Sequence, residues 1–144
     1  MSSVLIVDDE SGIREILRRW LATEGYDIRE APDAETALDA MAEAAADVVM
    51  CDVEMPGQGG LWLATQIGQR FPTTAIVLAT AVDSVPAMTS LKPSIVEYLV
   101  KPFEQHLVMR AVSRGVEWHG VALARAPKSS TDADRVTHWL ESHE

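Results

Sequence analysis

Four short apolar runs constrain this chain more than any other feature, because each stops at a polar side chain. Val4-Leu5-Ile6-Val7 ends at Asp8-Asp9, Val48-Val49-Met50-Cys51 at Asp52, Ala75 to Ala79 at Thr80, and Tyr98-Leu99-Val100 at Lys101. A continuous apolar run of this length fits a strand buried on both faces, as in a parallel sheet covered by helices. The intervening segments carry helical spacing. Ile13, Ile16, Leu17, Trp20 and Leu21 make one amphipathic stripe, with Ser11 placed to cap it and Gly25 to stop it. Tyr26 to Glu30 reads as a weaker second strand, and Asp33 opens an Ala-rich helix through Leu38 and Met41 to Ala45. Met55-Pro56-Gly57-Gln58-Gly59-Gly60 reads as a loop, and Leu61, Leu63, Ala64 and Ile67 supply the next helix. Five strands alternating with helices predict an α/β fold: an open, five-stranded parallel sheet with helices on both faces.

In open parallel sheets, ligands bind beyond the carboxyl ends of the strands. Any one of the four terminal polar groups could simply mark where a strand leaves the core. Together, Asp8-Asp9, Asp52, Thr80 and Lys101 read as a site. Carboxylates converging on one edge repel one another unless a cation offsets their charge, and a hard ion with oxygen ligands such as Mg²⁺ suits them. Asp52, alone at the end of its run, is the best-placed nucleophile, and a carboxylate attacking phosphorus gives an acyl phosphate. Lys101 can offset charge on phosphoryl oxygens and the Thr80 hydroxyl can donate to one.

Composition narrows the class. The 144 residues carry 12 Lys+Arg against 22 Asp+Glu, a formal net charge of −10, and no Lys/Arg cluster of the kind phosphate backbones require. Direct nucleic-acid binding by this chain is therefore not expected; any contact with DNA would fall to another chain or segment. Cys51 is the single cysteine, which excludes an internal disulfide and a multi-Cys metal site; on a buried strand it reads as a small core residue rather than a redox sensor. The N-terminus shows no signal-peptide pattern, and no apolar stretch reaches the ~20 residues that span a bilayer. A cytoplasmic protein without membrane contact is expected. His106 and His119 lack a second ligand at metal spacing and read as solvated or capping residues. Trp20 is expected on its helix face and Trp62 partly exposed.

The residues Val4 to Asp9, Asp52 with Met55-Pro56-Gly57, Thr80-Ala81 and Tyr98-Leu99-Val100-Lys101-Pro102 together resemble the receiver domain of two-component response regulators, similar in arrangement to chemotaxis receivers. The match covers residues 1 to about 120. It implies a flavodoxin-like sheet in the order 2-1-3-4-5 and a phosphorelay protein rather than an enzyme, catalysing only its own phosphorylation and dephosphorylation. Carried over, it makes Asp52 the acceptor of a phosphoryl group from a sensor histidine kinase or phosphotransfer protein. Asp9 would ligate Mg²⁺ directly, with Mn²⁺ as a substitute; Asp8 would act through water, and Asp52 and the backbone carbonyl of Glu54 would complete the protein ligands. Lys101 would pair with the phosphoryl group, beside a peptide bond to Pro102 that is cis in relatives. Thr80 and Tyr98 would be the switch pair. Helix 4, strand 5 and helix 5 would form the face for partner binding or homodimerisation. Small Ala81 fits a site that admits a donor imidazole.

The chain also departs from the family pattern. Pro93-Ser94-Ile95 stands where receivers commonly have Gly-Ala before the last strand, and Pro86 with Pro93 leaves little room for helix 4, so switching through that helix is the weakest transfer. Glu54 and Val82 occupy positions that tune phosphoryl lifetime in relatives. From Phe103 to Arg125 only Gly115 and Gly120 interrupt a helix of ~35 Å, long enough to overrun the sheet. Val108, Val112, Gly115, Trp118, Val121 and Ala122 give it an apolar stripe, suited either to a second subunit or to a frayed end that bends back. Ala126 to Ser130 reads as a linker, and Asp132 to Glu141 as a last short helix with Val136, Trp139 and Leu140 on one side. The expected division is a receiver over 1–120 and a helical extension over 121–144, too short for an effector domain. Two other readings compete: an Asp-nucleophile phosphatase of the haloacid dehalogenase type, and a phosphorylation-independent pseudo-receiver. The first would need an Asp-x-Asp motif after the first strand, and the intact acid set opposes the second.

Overall fold

The computed structural model describes residues 1–81 and 94–126. In chain order these form β1 (Ser3–Val7), α1 (Ser11–Ala22), β2 (Asp27–Ala31), α2 (Ala34–Glu43), β3 (Val48–Asp52), α3 (Gly60–Arg70), β4 (Ala75–Thr80), β5 (Ile95–Val100) and a long last helix (Gln105–Arg125), which corresponds to the expected helix 5. The strands make one parallel sheet in the order β2-β1-β3-β4-β5. The expected flavodoxin-like fold is therefore present.

Why the runs are continuous is visible in the packing. Leu5, Val7, Val49, Cys51, Ile76 and Leu78 point into one core with Ala37, Met41, Leu63 and Ile67 of α2 and α3. Their neighbours Val4, Ile6, Val48, Met50, Ala75 and Val77 point into the other, with Leu17 and Leu21 of α1 and Val108, Ala111 and Val112 of the last helix. Both phases of the strand period are buried, each large side chain contributing ~1.5–3 kcal/mol. The registers Val7 with Cys51, Asp52 with Ala79, and Thr80 with Val100 bring the carboxyl ends of β1, β3, β4 and β5 to one edge.

Several local expectations shift. Ser11 is not the cap of α1 but its first residue; Glu10 holds the cap position in an extended conformation with no side-chain cap bond. The reason lies one step earlier, where the Asp8 carboxylate accepts the Glu10 amide at 2.9 Å and closes the loop before Ser11 is reached. Asp33 does cap α2, accepting the Thr36 amide at 2.7 Å, and that bond holds its carboxyl below the usual range. The helix stops at Glu43 rather than Ala45. α1 stops at Ala22, and the turn that follows uses Gly25 at φ +78°. β2 lies one residue later than expected, and β5 starts three residues earlier, its pairing with β4 interrupted by a bulge between Ile76 and Val77. Ser94 is buried there, and its carbonyl accepts the Ile76 amide at 2.9 Å.

The last helix begins at Gln105, not Phe103, and runs unbroken through residues 120 and 121. Gly115 lets it touch the sheet, since a Cβ there would lie 3.0 Å from both Val48 methyls. Along its expected stripe, Val108, Val112 and Gly115 are buried, Trp118 half-buried and Val121 exposed. His119 corrects another expectation: it is neither solvated nor a cap. Its Nδ1 lies 2.6 Å from the Thr73 carbonyl and its Nε2 3.2 Å from Asp47 Oδ1, tying the overhanging end of the helix to the sheet's opposite edge. His106 is exposed as expected. Trp20 and Trp62 are both half-buried against the cores. Among the described residues no helix is long and apolar enough to cross a membrane. Val82, Pro86 and Pro93, the expected helix 4, and the expected linker and helix after Ala126 lie outside the described residues.

Candidate functional site

The edge formed by β1, β3, β4 and β5 gathers an acidic cluster. One carboxylate oxygen each from Asp8, Asp9 and Asp52 lies within 4.8 Å of the others. Asp8 and Asp52 are buried at 2% and 5% exposure, whereas Asp9 is exposed. Such a depth for charged groups requires partners. Lys101, one residue past β5, supplies them: its Nζ donates to Asp8 Oδ2 at 3.1 Å and to Asp52 Oδ2 at 3.2 Å. The remaining oxygens take backbone amides, Glu10 on Asp8 Oδ1 and Glu54 on Asp52 Oδ1 at 3.2 Å.

Backbone geometry sets these side chains. The Lys101 amide donates to the Thr80 carbonyl at 2.8 Å, the peptide bond to Pro102 is cis, and the ammonium stands 5.9 Å from the Phe103 ring. Below Asp52 the chain turns through Gly57 at φ +79° into α3, where Gly60 packs on the strand end. A Cβ on Gly60 would lie 2.2 Å from the Asp52 carbonyl oxygen, so only glycine allows this approach. Its amide donates to the Val53 carbonyl at 3.0 Å. Thr80 is fully buried at the end of β4, one residue past Ala79, the sheet partner of Asp52. Tyr98 is exposed on β5, two residues before the strand end, outside the acidic cluster. Thus Asp8, Asp9, Asp52 and Lys101 come together with Thr80 adjoining, Glu54 adds its amide, and Tyr98 stands apart.

Burial raises the Asp52 carboxyl above the ordinary aspartate value; Lys101 opposes the shift and the Asp8 charge adds to it. Burial pulls the Lys101 ammonium down, but its bonds and charge attraction to Asp8 and Asp52 outweigh that and raise it. Burial, then the charges of Asp52 and Asp8, push the Cys51 thiol far above the ordinary thiol range, so no reactive thiolate forms beside the cluster.

The model of the response regulator receiver domain matches residues 4–113. The chain belongs to that family. This receiver is 34% identical over 132 residues to the response regulator FleR of Pseudomonas aeruginosa, covering 91% of the chain but 27% of FleR. To the DNA-binding transcriptional regulator NtrC of Escherichia coli it is 35% identical over 114 residues, covering 78% of the chain and 24% of NtrC. It thus spans about a quarter of each relative's length. The solved structure of the response regulator TrrA of Thermotoga maritima, in complex with Mg²⁺ and beryllium fluoride, superposes with a TM-score of 0.73 at 35% identity, over 80% of this chain and 99% of that one. The receiver is a signalling domain of two-component systems, and membership removes the ground for the haloacid dehalogenase reading.

Two residues at the site were not singled out in the sequence. Gly60 was one of three loop glycines with no visible reason to differ. Arg14 sat on the polar side of α1; its Nη1 donates to the Asp8 carbonyl at 2.7 Å, a contact that no local pattern signals.

Proposed function

We propose that Asp52 accepts a phosphoryl group from the phosphohistidine of a sensor kinase or phosphotransfer protein. The observation that carries this reading is the pairing of Lys101 with both Asp8 and Asp52 inside a three-carboxylate cluster. Three carboxylates against one ammonium leave an excess of negative charge with an all-oxygen donor set, which suits Mg²⁺, or Mn²⁺ in its place. Asp9, Asp52 and the Glu54 carbonyl would hold the ion and Asp8 would act through water; the ion supplies offsetting charge to the phosphoryl oxygens. The complex of TrrA with Mg²⁺ and beryllium fluoride supports this assignment.

The chain's own residues do the rest. An Asp52 carboxylate oxygen attacks phosphorus as the phosphorus–nitrogen bond of the donor breaks, and the leaving imidazole nitrogen is protonated from solvent. The product is an acyl phosphate on Asp52. Lys101 exchanges its bond to Asp52 Oδ2 for one to a phosphoryl oxygen, and the Thr80 hydroxyl turns toward the same group. Tyr98 then moves from its exposed position inward, changing the face of helix 4, β5 and the last helix for a partner or a second copy. Water later hydrolyses the acyl phosphate at the same site. Residues 1–120 would carry this function, and output would pass to a partner or a second copy.

The test is intact-mass analysis after incubation with Mg²⁺ and a small-molecule phosphodonor. Wild type should gain one phosphoryl group and Asp52→Asn none; an equal adduct on both would refute the assignment. A pseudo-receiver would leave wild type unmodified, and sustained phosphoester turnover would revive the phosphatase.

A further inference from the structure

We propose that Arg14 is a positioning residue for the divalent cation, acting by fixing the peptide that joins Asp8 to Asp9. The inference rests on the metal-binding reading above. Asp9 is exposed, so core packing does not determine where its carboxylate stands. Its position depends on the backbone of the short loop between β1 and α1. On one side of Asp8 the amide donates to the Ala31 carbonyl of β2 at 3.2 Å. On the other, the Asp8 carbonyl, which belongs to the Asp8–Asp9 peptide, accepts Arg14 Nη1 at 2.7 Å.

Arg14 is itself held. Its Nε donates to Glu30 Oε1 at 3.2 Å, and the other Glu30 oxygen takes Arg18 Nε at 2.7 Å. Arg18 Nη2 reaches the Ile28 carbonyl at 3.2 Å, so Glu30 and Ile28 of β2 brace Arg14 and Arg18, two of the three arginines of α1. The Arg14 side chain is 18% exposed. A planar guanidinium donating in two fixed directions orients a peptide in a way an ammonium on a flexible stem does not.

Charge and geometry make opposite forecasts, which exposes the proposal to refutation. Two arginines against one glutamate leave a net positive charge that repels a metal ion. On charge alone, removing Arg14 would tighten Mg²⁺ binding. If Arg14 sets the Asp9 peptide, removing it loosens binding, and groups that orient metal ligands typically change affinity ~10–100-fold.

The experiment is calorimetric titration of the full chain with Mg²⁺, for wild type, Arg14→Ala, Arg14→Lys and Glu30→Gln, with melting in EDTA to confirm folding. Both Arg14 variants should weaken Mg²⁺ about tenfold or more, and Glu30→Gln less in the same direction. The half-saturating Mg²⁺ for phosphorylation should rise in step, while the rate at saturating Mg²⁺ stays within about twofold, separating positioning from general damage. Unchanged or tighter binding by Arg14→Ala, or full rescue by Arg14→Lys, would overturn the proposal. Should Arg14→Ala fail to fold, Arg14→Lys decides: it keeps the positive charge and loses only the planar guanidinium that donates in two fixed directions, and unchanged affinity would overturn the proposal. No Mg²⁺ uptake by wild type would overturn the metal reading and this inference with it.

Discussion

Asp52 is a carboxylate held where its charge is costly. Burial raises its pKa, and Lys101 offsets only part of the effect. A group whose folded pKa lies above its unfolded value adds stability below the unfolded pKa and loses it as pH rises through the folded value. Asp52→Asn should therefore raise the melting temperature in EDTA at neutral pH, with the gain shrinking on acidification below the raised Asp52 pKa; a gain that grows toward acid would contradict this sign. Protonation of the Asp52 carboxyl also removes the nucleophile, so phosphoryl acceptance should fall toward acid pH; rates measured at saturating Mg²⁺ between neutral and acid pH check it. Lys101→Ala should act differently, leaving two buried carboxylates without their shared cation. A loss of ~3 kcal/mol in denaturant titration is expected at neutral pH.

At the scale of elements, glycine and the last helix decide how closely layers approach the acceptor strand. Gly60→Ala places a Cβ against the Asp52 carbonyl with no flexible side chain to yield, so β3 or α3 must shift. The expected cost is ~2–3 kcal/mol in denaturant titration, with a slower phosphoryl acceptance than the stability loss alone explains. At the opposite edge, His119→Ala removes the tether between the overhang and Thr73 and Asp47. It should cost ~1–2 kcal/mol and raise amide exchange in the last turns of the helix, leaving phosphorylation unchanged.

For the whole molecule, the sheet was legible because its strands are buried on both faces and so are written as unbroken apolar runs, Val48 to Cys51 being the clearest. β2 was read less well because it is an edge strand, with only Ala31 fully buried and Asp27 and Glu30 exposed. The acid set was legible because each member terminates a run. Their union at one edge followed from the parallel order, and Lys101 could be placed there before any distance was known. What sequence could not carry were contacts between distant segments: Arg14 to Glu30, His119 to Asp47, and Gly60 against Asp52. Ser11 misled because capping is a local rule and the Asp8 side chain had already closed the loop.

The central claim is that this edge delivers a phosphoryl group to Asp52 and to no other carboxylate. The most direct measurement is to phosphorylate the chain with Mg²⁺ and a small phosphodonor, reduce the acyl phosphate with borohydride and locate the resulting homoserine by peptide sequencing in the mass spectrometer. The account predicts homoserine at position 52 alone. Reduction at position 8 or 9, or none in a sample that carries a phosphoryl group, would contradict it.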